Sequence, residues 1–146
     1  MNKLQKGFAV LLLTVSGVVC AQELPYSEGP VSVVTRVKVM DGQFDNYMSY
    51  LQKSYRPVME AQKKAGNIIS YSIYDASPQG PSDADLYLVV RYANMASFDG
   101  LRQRSEPVAL KVNNQTREQA NEATASRAKM REILGSEVVR ELVLSP

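Results

Sequence analysis

The chain has 146 residues, with 17 lysines and arginines against 15 aspartates and glutamates, one cysteine, no histidine and no tryptophan. Those absences exclude Ser-His-Asp and Cys-His nucleophilic centres, His-ligated haem or zinc, and an imidazole acid or base at neutral pH. Neither common glycine-rich phosphate loop is present, so no cofactor has a motif behind it, and no spacing of ligands points to a metal.

The N-terminus reads as an export signal. Lys3 and Lys6 make a basic start, Phe8 to Val15 is apolar except for Thr14, and Ser16-Gly17 break the run before Val19-Cys20-Ala21. Val19 and Ala21 suit a signal peptidase, so residues 1–21 are expected to be removed by a cut between Ala21 and Gln22, in a periplasmic or secreted protein. The apolar run is shorter than the roughly 20 residues that span a bilayer. Acylation of Cys20 is the competing reading, but Val19 stands where a small residue is expected and Gly17 where leucine is. Cleavage removes Lys3, Lys6 and the sole cysteine, leaving equal numbers of acidic and basic residues. The mature chain therefore has no disulfide, no thiol chemistry and no global field to attract nucleic acid or an anionic membrane. Its length fits one domain.

Residues 22–30, with Pro25 and Pro30, read as a linker, and residues 31–146 as the domain. Val31, Val33, Thr35, Val37 and Val39 alternate with Ser32, Val34, Arg36 and Lys38, the pattern of a half-buried strand. Asp41 is the expected cap of a first helix, on which Phe44, Tyr47, Met48, Leu51, Tyr55, Val58, Met59 and Gln62 form one stripe. Pro57 should kink or restart that helix, and Gly66 should stop it. Ile68 to Tyr74 reads as a second strand and Asp85 to Tyr92 as a third, joined by a turn-rich loop over Ala76 to Ala84. Asn94 is placed to cap a short helix, Pro107 interrupts the pattern, and Thr116 to Leu134 reads as an alanine-rich helix ended by Gly135. Glu137 to Leu144 is the expected last strand.

The order is β-α-β-β-α-α-β: an α+β sandwich with helices on one face of an antiparallel sheet. The face opposite the Val31–Val39 row mixes valines with arginine and glutamate. It either meets water or packs on a second subunit.

Residues 31–144, with the amphipathic first helix and the late return strand after Arg131-Glu132-Ile133-Leu134-Gly135, resemble the dimeric α+β barrel superfamily. That group includes antibiotic-biosynthesis monooxygenases, EthD-like proteins and stress-responsive barrel proteins. The resemblance implies a ferredoxin-like subunit whose sheet packs face to face on that of a second copy, hence a homodimer. It also implies a pocket between helix and sheet, lined in the cofactor-independent monooxygenases by tyrosine, tryptophan and asparagine. No diagnostic catalytic motif accompanies it here, and tryptophan is absent.

Tyrosine is the conspicuous reagent, with eight in all. Tyr47 and Tyr55 lie on the first helix's stripe, Tyr50 lies beside it, and Tyr71 lies on a strand row that can face it. They are the candidate ligand-binding residues, an apolar ring with a polar tip being suited to a planar molecule, with core packing as the alternative. Arg127, which interrupts the stripe of the late helix, is the candidate anchor for a carboxylate or phosphate, or else a snorkelling side chain. Asp75, Asp83 and Asp85 bracket the Pro/Gly loop without the spacing of a calcium site. The leading expectation is small-molecule binding. Cofactor-independent oxygenase or isomerase chemistry and a protein-interaction role for the sheet face are the alternatives.

Overall fold

The computed structural model describes residues 24–146, so the expected signal peptide and its expected cleavage site at Ala21 and Gln22 lie outside the described residues. Strand β1 (Tyr26–Val39) leads into helix α1 (Phe44–Tyr50), a π-helical segment (Leu51–Tyr55) and helix α2 (Arg56–Lys64). Strands β2 (Ser70–Asp75) and β3 (Leu86–Tyr92) follow, then a 3₁₀ turn (Met95–Phe98), helices α3 (Leu101–Asn113) and α4 (Arg117–Ser126), a second 3₁₀ turn (Arg127–Lys129) and strand β4 (Arg131–Leu144).

The four strands form one open sheet in the order β2-β3-β1-β4 with every neighbouring pair antiparallel. This interleaving of two split β-α-β units is the ferredoxin-like α+β arrangement. The period-2 row of β1 faces the helices: Val31 and Val37 are fully buried and Val39 nearly so. With Tyr47, Leu51 and Leu86 the last two make the core, against which Tyr50, Tyr55, Ile73, Leu88 and Met130 pack. Each such side chain, fully buried, contributes about 1.5–3 kcal/mol of hydrophobic stabilisation.

The first helix does not begin on Asp41. Gly42 takes a left-handed turn (φ 71°), and Gln43 stands at the cap position. Pro57 acts as expected of a residue without an N–H. The backbone ahead of it widens into the π segment, in which Arg56 N–H donates to Leu51 O, and α2 then starts with the proline in its first turn. Gly66 (φ 74°) stops α2. Gln62, buried on the inner stripe, donates to Ser105 O at 2.8 Å and accepts from the Asn67 amide at 2.7 Å, tying α2 to α3.

Three expected boundaries shift. Residues 22–30 are not all linker, because β1 already starts at Tyr26 and pairs Tyr26 to Glu28 with Leu144 to Leu142. A register shift between Glu28 and Val31 accommodates Gly29-Pro30, since a bulge tolerates the missing donor. Pro107 does not interrupt α3, which runs through it from Leu101 to Asn113. The late helix, expected over Thr116 to Leu134, runs from Arg117, with Thr116 as its cap, only to Ser126, and β4 begins at Arg131 rather than Glu137. Gly135 pairs with Arg36 and Ile133 with Val37, so Leu134 is the extra residue of a bulge, and Gly135 takes φ 153° there.

The helical layer does not cover all of the sheet. On the uncovered face lie Val34, Val89 and Val139 beside Arg36, Arg91, Glu137 and Glu141, with Arg91 and Glu141 paired across strands. Beyond the helices, β4 exposes apolar side chains on both sides. Val139 and Val143 (42% and 48% exposed) are on one, Val138 and Leu142 (54% each) on the other.

Candidate functional site

The tyrosines of the first helix are distributed by its geometry. Tyr47, 1% exposed, is a core residue whose ring stacks on Tyr50 at 5.9 Å between centroids. The π segment then shifts the helical phase so that Ser54 and Tyr55 follow Tyr50 toward α3 and α4. Between these elements are two adjoining hollows of about 230 and 210 Å³, which share Tyr50, Ser54, Asn113, Gln115 and Arg127. Tyr55, Val58, Ala109, Ala120 and Thr124 line one, and Ala123, Ser126 and Met130 the other. No lining residue is acidic.

Arg127 is the cation of this site. Its guanidinium carbon lies 5.1 Å from the Tyr50 ring centroid, and its Nη2 donates to Thr124 Oγ1 at 2.7 Å. Thr124 Oγ1 in turn donates to Ala120 O at 2.8 Å, so the arginine is braced against α4. Its Nε is buried with no acceptor, and among the described residues no ion pair engages it. Arg131 repeats the arrangement one step deeper, 5.7 Å over the Tyr47 ring and also with a buried, unpartnered Nε. Each ring of the stacked tyrosine pair thus meets one arginine.

Burial pushes the Tyr47 and Tyr55 phenols above the ordinary tyrosine range. For Tyr47 the two arginines only partly offset it, and for Tyr55 the neighbouring tyrosines add to it. Both stay neutral at physiological pH, able to donate or accept a hydrogen bond but not to act as phenolate bases.

Of the predicted site residues, Tyr50, Tyr55 and Arg127 come together in the hollows, and Tyr47 supports them from the core. Tyr71 does not join them. Its ring meets Tyr55 edge-on at 6.0 Å, but its hydroxyl donates to Glu60 at 2.7 Å. It lines a separate, larger groove of about 490 Å³ between the first helical run and β2, with Asp45, Met48, Gln52 and Arg56. That groove is open to solvent and mixes both charges, whereas the hollows concentrate one unpaired cation among neutral donors.

Sequence reasoning missed Ser54, Asn113 and Gln115. Pro57 was the signal for Ser54, since it forces the π turn. Asn113 and Gln115 depend on Asn114, whose left-handed conformation (φ 49°) ends α3 and turns the chain, with Gln115 N–H donating to Leu110 O at 3.0 Å. The loop aspartates serve structure. Asp85 accepts from Val39 N–H at 2.7 Å and pairs with Lys38 at 3.1 Å, and Asp83 accepts from Gln79 and Gly80 N–H. Among the described residues no three His, Cys, Asp or Glu side chains gather as a metal site, and no helix is long and apolar enough to cross a membrane.

No protein-family model matches the chain, and no curated protein does. Among solved structures it is similar to HapK from Hahella chejuensis, with 14% identity over 76% of this chain and 91% of that one, and a TM-score of 0.50. It is also similar to a dimeric protein of unknown function with a ferredoxin-like fold from Bacteroides fragilis, with 16% identity over 77% of this chain and 95% of that one, and a TM-score of 0.42. At these identities the likeness is one of fold, and the fold of this chain is ferredoxin-like α+β.

Proposed function

We propose that this protein is exported and homodimeric, and that it binds a small molecule in the hollows at Tyr50, Tyr55 and Arg127. The observation that carries the binding reading is the guanidinium of Arg127, which lines a tyrosine-walled space without a single carboxylate and is engaged by no ion pair among the described residues. A half-buried cation with no counter-charge is incompletely compensated, and a ligand that brings acceptor groups to it supplies what the chain does not. Binding is favoured over oxygenase or isomerase chemistry because burial moves the Tyr47 and Tyr55 phenols further from the phenolate form. Export rests on the sequence of residues 1–21 alone.

The dimer reading rests on the uncovered face. Valines of β1, β3 and β4 lie there beside arginines on β1 and β3 and glutamates on β4, an arrangement that a twofold axis can make self-complementary. The overhanging end of β4, apolar on both sides, has no cover within one subunit. A thermal-shift screen of charged and neutral small molecules tests the binding reading. A ligand should raise the melting temperature by mass action and be recovered unchanged, whereas stabilisation by none of them contradicts it.

A further inference from the structure

We infer that the ligand of the Tyr50–Arg127 hollows is a monoanionic carboxylate on a small planar, largely apolar body, an inference that rests on the binding reading above. The hollows contain one cation and no acidic residue, so they balance a single negative charge, whereas a doubly charged phosphate would be left half-compensated. Arg127 lies over the Tyr50 ring with its Nη2 held by Thr124, which fixes the guanidinium, and no ion pair among the described residues answers its charge. A planar carboxylate is the acceptor that such a fixed fork matches. Asn113, Gln115 and Ser54 stand around the same space as neutral hydrogen-bonding groups. The remaining walls are the rings of Tyr50 and Tyr55, the side chains of Val58 and Met130, and the small alanines of α3 and α4, which suit one flat ring.

Isothermal titration calorimetry on the full chain tests this with three probes: 4-hydroxybenzoate, its neutral amide and inorganic phosphate. The carboxylate should bind about tenfold to a hundredfold tighter than the amide, and phosphate more weakly than the carboxylate. Arg127→Gln should bring the carboxylate down to the affinity of the amide, while Arg127→Lys, which keeps the charge but loses the fork, should fall between. Should Arg127→Gln fail to fold by circular dichroism, the comparison of carboxylate with amide on the unaltered chain decides the matter. Equal binding of carboxylate and amide overturns the charge assignment but leaves small-molecule binding standing. Tighter binding of phosphate overturns the choice of carboxylate. Binding of none of the three overturns the inference, whereas the binding reading itself falls only when the thermal-shift screen is blank for neutral and charged molecules alike.

Discussion

The guanidinium of Arg127 lies 5.1 Å over the ring of Tyr50, and that of Arg131 lies 5.7 Å over the ring of Tyr47, on which Tyr50 stacks. Cation–π contacts of this kind are worth about 0.5–2 kcal/mol, rising as they lose water. They join the core to the hollows. Tyr47 packs in the core with Val37 and Val39 of β1 and Leu86 of β3, Tyr50 stacks on it, and Arg127 takes its orientation from Tyr50 and Thr124 together.

Tyr47 therefore sets stability before it sets binding. Tyr47→Ala is expected to cost about 3–5 kcal/mol in urea unfolding, as large aromatic truncations in a packed core do. Tyr47→Phe should cost less than about 1.5 kcal/mol because it keeps the volume and the stack. A small loss for the alanine variant would contradict the placement of Tyr47 in the core.

Asp85 closes the sheet beside β1, accepting from Val39 N–H and pairing with Lys38. Asp85→Ala should destabilise the fold by about 1.5–3 kcal/mol, because it strands a partly buried N–H that had a charged acceptor. Lys38→Met should change stability by no more than about 1 kcal/mol, the ion pair itself being partly solvated. Chemical denaturation of the two variants side by side separates the contributions.

The phenols make an alkaline prediction. Burial raises the ionisation of Tyr47, Tyr55 and Tyr92 above that of free tyrosine. A group that holds its proton more tightly when folded contributes stability that is complete below its unfolded value, about pH 10, and is lost as the pH climbs from there toward the folded value. Urea midpoints should stay flat on this account up to about pH 9 and fall beyond about pH 10, with a shallower fall in Tyr55→Phe. Phenolate absorbance from these residues below about pH 9 would contradict the burial.

The sheet face makes a prediction about assembly. Val139 is exposed on the uncovered face of β4, so Val139→Lys should leave the subunit folded, with stability altered by no more than about 0.5 kcal/mol. It should nonetheless shift sedimentation toward the monomer at concentrations where the unaltered chain is dimeric. An unaltered chain that sediments as a monomer at every concentration contradicts the dimer.

Much of the fold was legible because its signals are local. The alternation from Val31 to Val39 is one buried row meeting one open row, and Asn94, read as a cap, is one, with a reciprocal side-chain bond to the third helical residue. The late boundary was not legible, because Arg127, Met130 and Leu134 continue the helical spacing of an alanine-rich segment. The Leu134 bulge also breaks the period-2 pattern that would have announced β4. The start of β1 was hidden by two prolines whose cost a bulge absorbs. At the site, Tyr50, Tyr55 and Arg127 could be named from their stripes. The separation of Tyr71 could not, since it depends on which side of the π turn each side chain leaves the helix. A single inserted phase step of this kind has no signature beyond Pro57.

Native mass spectrometry of the protein purified gently from its native cells tests the central claim most directly. The account predicts a dimer of the chain starting at Gln22 that carries a reproducible extra mass, lost in Arg127→Gln. A dimer without any adduct in repeated preparations, stabilised by no small molecule in the screen, would contradict the assignment of the Tyr50–Arg127 hollows as a binding site.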